Sequence, residues 1–253
     1  MSVFRKIVKH WLLRRGAIIS RPPGQFDVTE YKLMLAKRRG LDVNRVLDGG
    51  AHVGDWTRMV KAIYPDAAVV MVEPREDVQP ALHTVIEEQS GVSVLQALLG
   101  EQKGNVGFHV SGAQSSILPD NEGRAFGRVV SVPMTTINEV IEAAGWPSAD
   151  LIKLDLQGYE LKALAGADRV LARTSAVILE VSFVAFQEST PLARDVVEFM
   201  GEHGFELYDI LALSHRPLDG RLAQGDMLFL RAGHPLLADT RWTSQGSGFW
   251  AAT

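Results

Sequence analysis

Residues 45–56, RVLDGGAHVGDW, decide how this chain is read. A short apolar run ends on Asp48, and Gly49, Gly50 and Gly54 follow within six positions. DWTRMVKAIYP then carries a helical pattern that Pro65 closes. Strand, glycine turn and helix in that order form the opening unit of an α/β sheet. A glycine-rich turn costs folding entropy, so it predicts a close approach to the backbone. Three ligands compete for that approach: a dinucleotide, a phosphate, or another molecule carrying a nucleoside.

Working outward, the alternation continues. AAVVMVEP is a strand, REDVQPALHTVIEEQSG a helix kinked or delayed by Pro80, and VSVLQALLG a third strand. Unbroken Val/Leu/Ile runs predict strands covered on both faces, hence parallel neighbours. Residues 100–133 break the rhythm and read as an inserted β-hairpin, with strands near 106–110 and 129–132. ADLIKLDLQGY is the fourth core strand, YELKALAGADRVLAR one helix, and SAVILEVSF the fifth strand. PLARDVVEFMGEHG is a helix. FELYDILALS and DMLFLR are closing strands on either side of a turn near Pro217–Gly220. The fold class expected is α/β: a doubly wound, mostly parallel, seven-stranded sheet of Rossmann-like type.

The glycine spacing sorts the ligands. It does not match G-x-G-x-x-G, and no G-x-x-x-x-G-K-[ST] occurs. Asp48, Gly50 and Gly54 give acid–x–Gly–x–x–x–Gly, the spacing of S-adenosylmethionine sites, with His52 in place of the middle glycine. That cofactor has no pyrophosphate, and a carboxylate at a strand tip complements its positive groups. Glu73 ends the second strand, where an acid accepts hydrogen bonds from ribose hydroxyls. Ala97, at the end of the third strand, borders the adenine.

With these residues in place, the sequence resembles the FkbM family of S-adenosylmethionine-dependent methyltransferases over about residues 41–230. The resemblance rests on LDGGAHVG (47–54), VEP (72–74), SSIL (115–118), DLIKLDLQGYELKALAGA (150–167) and ILEVSF (178–183). It implies the doubly wound methyltransferase sheet and O-methylation of sugar or natural-product hydroxyls. Two positions depart from the family: His52 stands where Asn is common, and Gln157 where many members have Glu in Asp–x–Glu–Gly.

A sugar hydroxyl needs a general base, a metal, or both before it attacks a methyl group. Asp155, at the carboxyl end of the fourth strand, is the first catalytic candidate, and Glu180 holds the matching place on the fifth. Lys153 falls on the same side of the strand as Asp155. In one reading the two acids hold a divalent cation such as Mg; in the other Asp155 alone acts as base or acceptor anchor and Glu180 holds a substrate hydroxyl. Ser115, Ser116, Gln157 and Tyr159 are acceptor-binding candidates. His203 reads as a helix cap, His109 as structural, His215 and Arg216 as surface groups, and Trp56 and Tyr64 as packing.

Bulk properties bound the remainder. The 253 residues carry a formal charge of −4 with no cysteine, which argues against a nucleic-acid binder and excludes thiolate metal sites and cysteine nucleophiles. This composition fits a reducing compartment, and the expected location is cytoplasmic. Residues 4–21 hold Arg5, Lys6, Lys9, Arg14, Arg15 and Arg21 among helically spaced apolar residues. They form a basic cap on the domain or a peripheral membrane contact. The expected organisation is a helical cap over 1–40, a methyltransferase domain over 41–233 and a tail over 234–253. Two other functions stand beside the enzyme: a non-catalytic methyltransferase-like binding module, and a nucleotide-dependent oxidoreductase, which the glycine spacing disfavours.

Overall fold

The chain enters on β1 (Phe26–Asp27) and α1 (Thr29–Arg38). Strand and helix then alternate through β2 (Arg45–Gly49), α2 (Asp55–Ile63), β3 (Ala68–Val72), α3 (Gln79–Glu88) and β4 (Val92–Leu95). The rhythm breaks at β5 (Leu98–Leu99), β6 (Gly104–Val110) and β7 (Arg128–Thr135). It resumes with α4 (Ile137–Ala143), β8 (Leu151–Leu154), α5 (Glu160–Ala165), α6 (Asp168–Leu171), β9 (Ala176–Ser182) and α7 (Ala193–Glu202). A hairpin of β10 (Phe205–His215) and β11 (Leu222–Arg231) closes the sheet. This is a computed structural model that describes residues 26–110, 128–186 and 189–241. The basic segment 4–21, Ser115, Ser116 and residues 242–253 lie outside the described residues.

The expected doubly wound α/β layering is present, but the strand count and polarity differ. The main sheet has eight strands in the order β1-β10-β11-β9-β8-β2-β3-β4. From β9 to β4 the pairings are parallel; those among β9, β11, β10 and β1 are antiparallel. The sheet is therefore mixed, rather than a mostly parallel one of seven strands. The eighth strand is β1, where Phe26 and Asp27 pair with Leu213 and Ala212. A two-residue strand has no periodicity for sequence to announce. The antiparallel end follows from the tight turn at Gly220 (φ +73), which returns the chain between β9 and β10.

Two local differences and one open alternative have physical outcomes here. The run 92–99 divides at Gln96–Ala97, and Leu98–Leu99 pairs with β7, so the inserted hairpin becomes a separate three-stranded sheet, β5-β7-β6. The helix expected from Tyr159 to Arg173 is two helices, broken at Gly166, where an added Cβ would lie 2.5 Å from the Gly100 carbonyl oxygen. α3 begins at Gln79, which puts Pro80 in the first turn, where its missing N–H leaves no helical bond unmade.

Both faces of the sheet are apolar. α4, α5, α6 and α7 cover one, with Leu47, Ile152, Val177 and Phe229 in that layer. α1, α2 and α3 cover the other, with Val46, Met71, Leu151, Ile178 and Leu228 beneath them. Leu236 joins this second layer, with Leu237 packed beside it. No helix among the described residues is long and apolar enough to cross a membrane.

Candidate functional site

The second layer leads directly to the site. Side chains alternate along a strand, so positions two apart share a face. Two residues towards the common strand ends from Val46, Met71, Leu151, Ile178 and Leu228 lie Asp48, Glu73, Lys153, Glu180 and Asp226. Register aligns them: Asp48 is opposite Lys153, and Asp226 opposite Glu180. One step further along β8 is Asp155. An acidic edge thus crosses β3, β8, β9 and β11, with Gly50 at the β2 position between Glu73 and Asp155.

The glycine turn is packed closely against other parts of the chain. Gly50 has φ +74, and a Cβ there would lie 2.0 Å from the Asp155 carbonyl oxygen. Gly54 has φ +79, and a Cβ there would lie 2.6 Å from Val85. The atoms pressed against these two glycines belong to the chain itself. Between them His52 holds a left-handed backbone, φ +50, the conformation that a middle glycine adopts without strain. Its N–H donates to Glu73 Oε2 at 2.9 Å, and the Arg75 N–H donates to Oε1 at 3.0 Å. Burial pushes the Glu73 carboxyl above its ordinary value, and these bonds oppose the rise. Ala97 is buried beside this tip, and Gln96 donates to the Pro74 carbonyl at 3.4 Å.

Asp48 is fully buried. Thr57 donates to its Oδ2 at 2.6 Å, and Lys153 Nζ lies 3.5 Å from Oδ1. The same ammonium donates to the Gly50 carbonyl at 3.2 Å and lies 3.7 Å from Asp155. Burial pulls the Lys153 ammonium down, but the carboxylates of Asp48, Asp155, Asp226 and Glu180 together hold it above its ordinary range. Asp48 therefore lies inside the sheet, hydrogen-bonded to Thr57 and paired with Lys153.

Asp155 and Glu180 come together as the strand positions predict. Gln157, itself at φ +54, joins them: its amide donates to Asp155 at 2.8 Å and to Glu180 at 3.0 Å. Gln224 donates a second bond to the same Glu180 oxygen, at 2.9 Å. The residue that sequence reasoning missed is Asp226. Burial first, and then Asp155, raise it to about 6. Burial and the charges of Asp155, Glu160 and Asp226 raise Glu180 well above a normal carboxyl. The metal reading gains nothing here: no group of three or more His, Asp or Glu able to hold an ion occurs among the described residues, and an amide donor stands between the two acids.

Glu160 fixes the loop carrying these groups. Its Oε1 accepts the N–H of Leu156 at 2.7 Å and of Gly158 at 3.2 Å. Burial raises its carboxyl from 4.5 to about 7. A raised acid holds more protons folded than unfolded, so its stabilising contribution is complete below about 4.5 and is lost as pH rises towards 7. Urea titrations of Glu160→Gln and the wild type should therefore diverge across that window. The wild type should lose roughly 3 kcal/mol more than the variant, and parallel pH curves would contradict the assignment.

The other candidates are placed as follows. Tyr159 packs beside the small sheet, against the cluster of Leu98, Phe108, Val132 and Met134. Tyr64 is buried and donates to the Leu41 carbonyl at 3.0 Å, and Trp56 packs on the same layer. His203 hydrogen-bonds the Phe199 carbonyl at 2.7 Å at the end of α7. Arg216 pairs with Asp219 within the closing turn.

A model of the methyltransferase FkbM domain matches residues 48–207. No curated protein matches the chain. Among solved structures, a methyltransferase FkbM from Methylobacillus flagellatus KT is 17% identical, with a TM-score of 0.48, over 74% of this chain. The match spans less than half of that protein, 43%. A precorrin-6y C5,15-methyltransferase from Geobacter metallireducens GS-15 is 11% identical, TM-score 0.46, over 79% of this chain and 86% of its own. A Methanococcus jannaschii fibrillarin pre-rRNA processing protein is 13% identical, TM-score 0.46, over 76% and 68%. The domain match covers more than half of the sequence, starts at Asp48 and takes in Glu73, Asp155 and Glu180: the chain belongs to the FkbM methyltransferase family.

Proposed function

We propose that the protein is an S-adenosylmethionine-dependent O-methyltransferase acting on a hydroxyl of a sugar or natural-product metabolite. One observation carries the reading. Within the family's domain, Asp155 and Glu180 stand at adjacent strand ends, held together by the Gln157 amide at 2.8 and 3.0 Å. Ligands of open α/β sheets collect at that edge.

The residues fit the cofactor. Asp48, Asp155, Glu180 and Asp226 share Lys153 as the cation that faces them, an excess of negative charge suited to a sulfonium and an ammonium group. Glu73 receives a backbone N–H on each oxygen and keeps further lone pairs for ribose hydroxyls. When bound, S-adenosylmethionine supplies the activated methyl group. Asp155 and Glu180 orient the acceptor hydroxyl and take its proton, and Gln157 and Gln224 hold the Glu180 carboxylate in one orientation.

The test is methyl transfer from isotope-labelled S-adenosylmethionine to a panel of sugars and glycosylated metabolites, with the product located by NMR. A labelled methyl ether is the expected product. Label on carbon or nitrogen, or no transfer by protein that binds the cofactor, contradicts the proposal.

A further inference from the structure

Asp226 and Glu180 face each other across antiparallel strands, an arrangement that destabilises two like charges. Asp155 is tied to the same Glu180 by Gln157. Lys153 is engaged on the inner side, by the Gly50 carbonyl, Asp48 and Asp155. No Lys or Arg ion pair reaches Glu180 or Asp226 among the described residues. Two half-buried carboxylates facing each other, with no cation of their own among the described residues, call for a positive ligand or a proton. The groups facing the pair are Asp48 through Lys153, Asp155 and Lys153 from β8, Glu160 from α5 and Asp27 from β1. Only Lys153 among them is positive.

We propose that Glu180 and Asp226 form a charge-matching pair, ionised opposite the cationic cofactor and protonated once that positive charge is gone. The inference rests on the S-adenosylmethionine reading above. The balance is complete. Methyl transfer breaks a carbon–sulfur bond and leaves its electron pair on sulfur. It forms a carbon–oxygen bond and releases the hydroxyl proton. That proton goes to Glu180, and Asp226 opposite keeps it there. One positive charge is lost as the sulfonium becomes a neutral thioether and one is gained as the proton on Glu180, so the net charge beside Lys153 does not change. Asp226 is a positioning residue, acting through Glu180. Both carboxyls are raised, by burial and by neighbouring acids, the direction that such a pair requires.

Calorimetry with the full-length protein tests this without an acceptor. S-adenosylmethionine and S-adenosylhomocysteine share the ammonium and carboxylate and differ in the charge on sulfur. Titrating each at about pH 6.5, in two buffers of different ionisation enthalpy, counts the protons exchanged. S-adenosylmethionine should release about half a proton or more per site beyond S-adenosylhomocysteine. Asp226→Asn and Glu180→Gln should each remove most of that difference. Equal proton counts for the two ligands on the wild type overturn the charge-matching pair, whatever the variants do. An unchanged difference in Glu180→Gln overturns the assignment to these residues. Absence of saturable heat from either ligand overturns instead the cofactor reading on which the pair rests.

Discussion

Glu180→Gln and Asp155→Asn should each lower methyl transfer by about 10²–10⁴-fold while leaving affinity for S-adenosylhomocysteine little changed. Both substitutions keep shape and hydrogen-bonding capacity, so Gln157 and Gln224 still find oxygens to bond. What is lost is a carboxylate able to accept the hydroxyl proton. In Glu180→Gln the acceptor must give its proton to water, and in Asp155→Asn the hydroxyl loses a carboxylate that orients it. Binding survives because Glu73 and the glycine turn stand on other strand tips, β3 and β2. Single-turnover rates with a labelled methyl donor, set beside calorimetric affinities, separate the two effects. Wild-type turnover in both variants would remove the chemical step from this edge.

Lys153→Met should cost roughly 3–5 kcal/mol of folding stability in urea denaturation, because it leaves Asp48 charged, buried and without a cation. Met matches the length of the Lys stem, so packing alone does not account for a loss of that size. The control is the double variant Asp48→Asn/Lys153→Met, which should recover a large part of the loss, since the uncompensated charge is gone. A loss below about 1 kcal/mol in the single variant would mean that water screens the pair. Lys153 is 8% exposed and Asp48 fully buried, which argues for the larger effect.

The parts of this protein legible in sequence are those with local signatures. Val/Leu/Ile runs marked the parallel strands, and the turn at Gly50, His52 and Gly54 marked the first βα unit. Strand endings placed Glu73, Asp155 and Glu180 at one edge. Lys153 fell on the predicted side of its strand, but the depth of its pairing with Asp48 comes from the parallel register of β2 and β8. Asp226 was illegible for a similar reason. QGDMLFL reads as any half-buried strand, and only the antiparallel return of β11 beside β9 brings Asp226 opposite Glu180. The glycines were recognised for the right conformation, but the segments of the chain packed against them were not legible. A positive φ shows in sequence as glycine, whereas the Asp155 carbonyl and Val85 come from distant segments. The break at Gly166 and the division of residues 92–99 also depend on tertiary contacts, with Gly100 and with β7.

A crystal structure of the protein grown with S-adenosylhomocysteine bears most directly on the central claim. The account predicts the ribose hydroxyls on Glu73, the adenine beside Ala97, and the sulfur turned towards the Asp155–Glu180–Asp226 edge. A nucleoside bound at another surface, or a sulfur facing away from all three carboxylates, would contradict it.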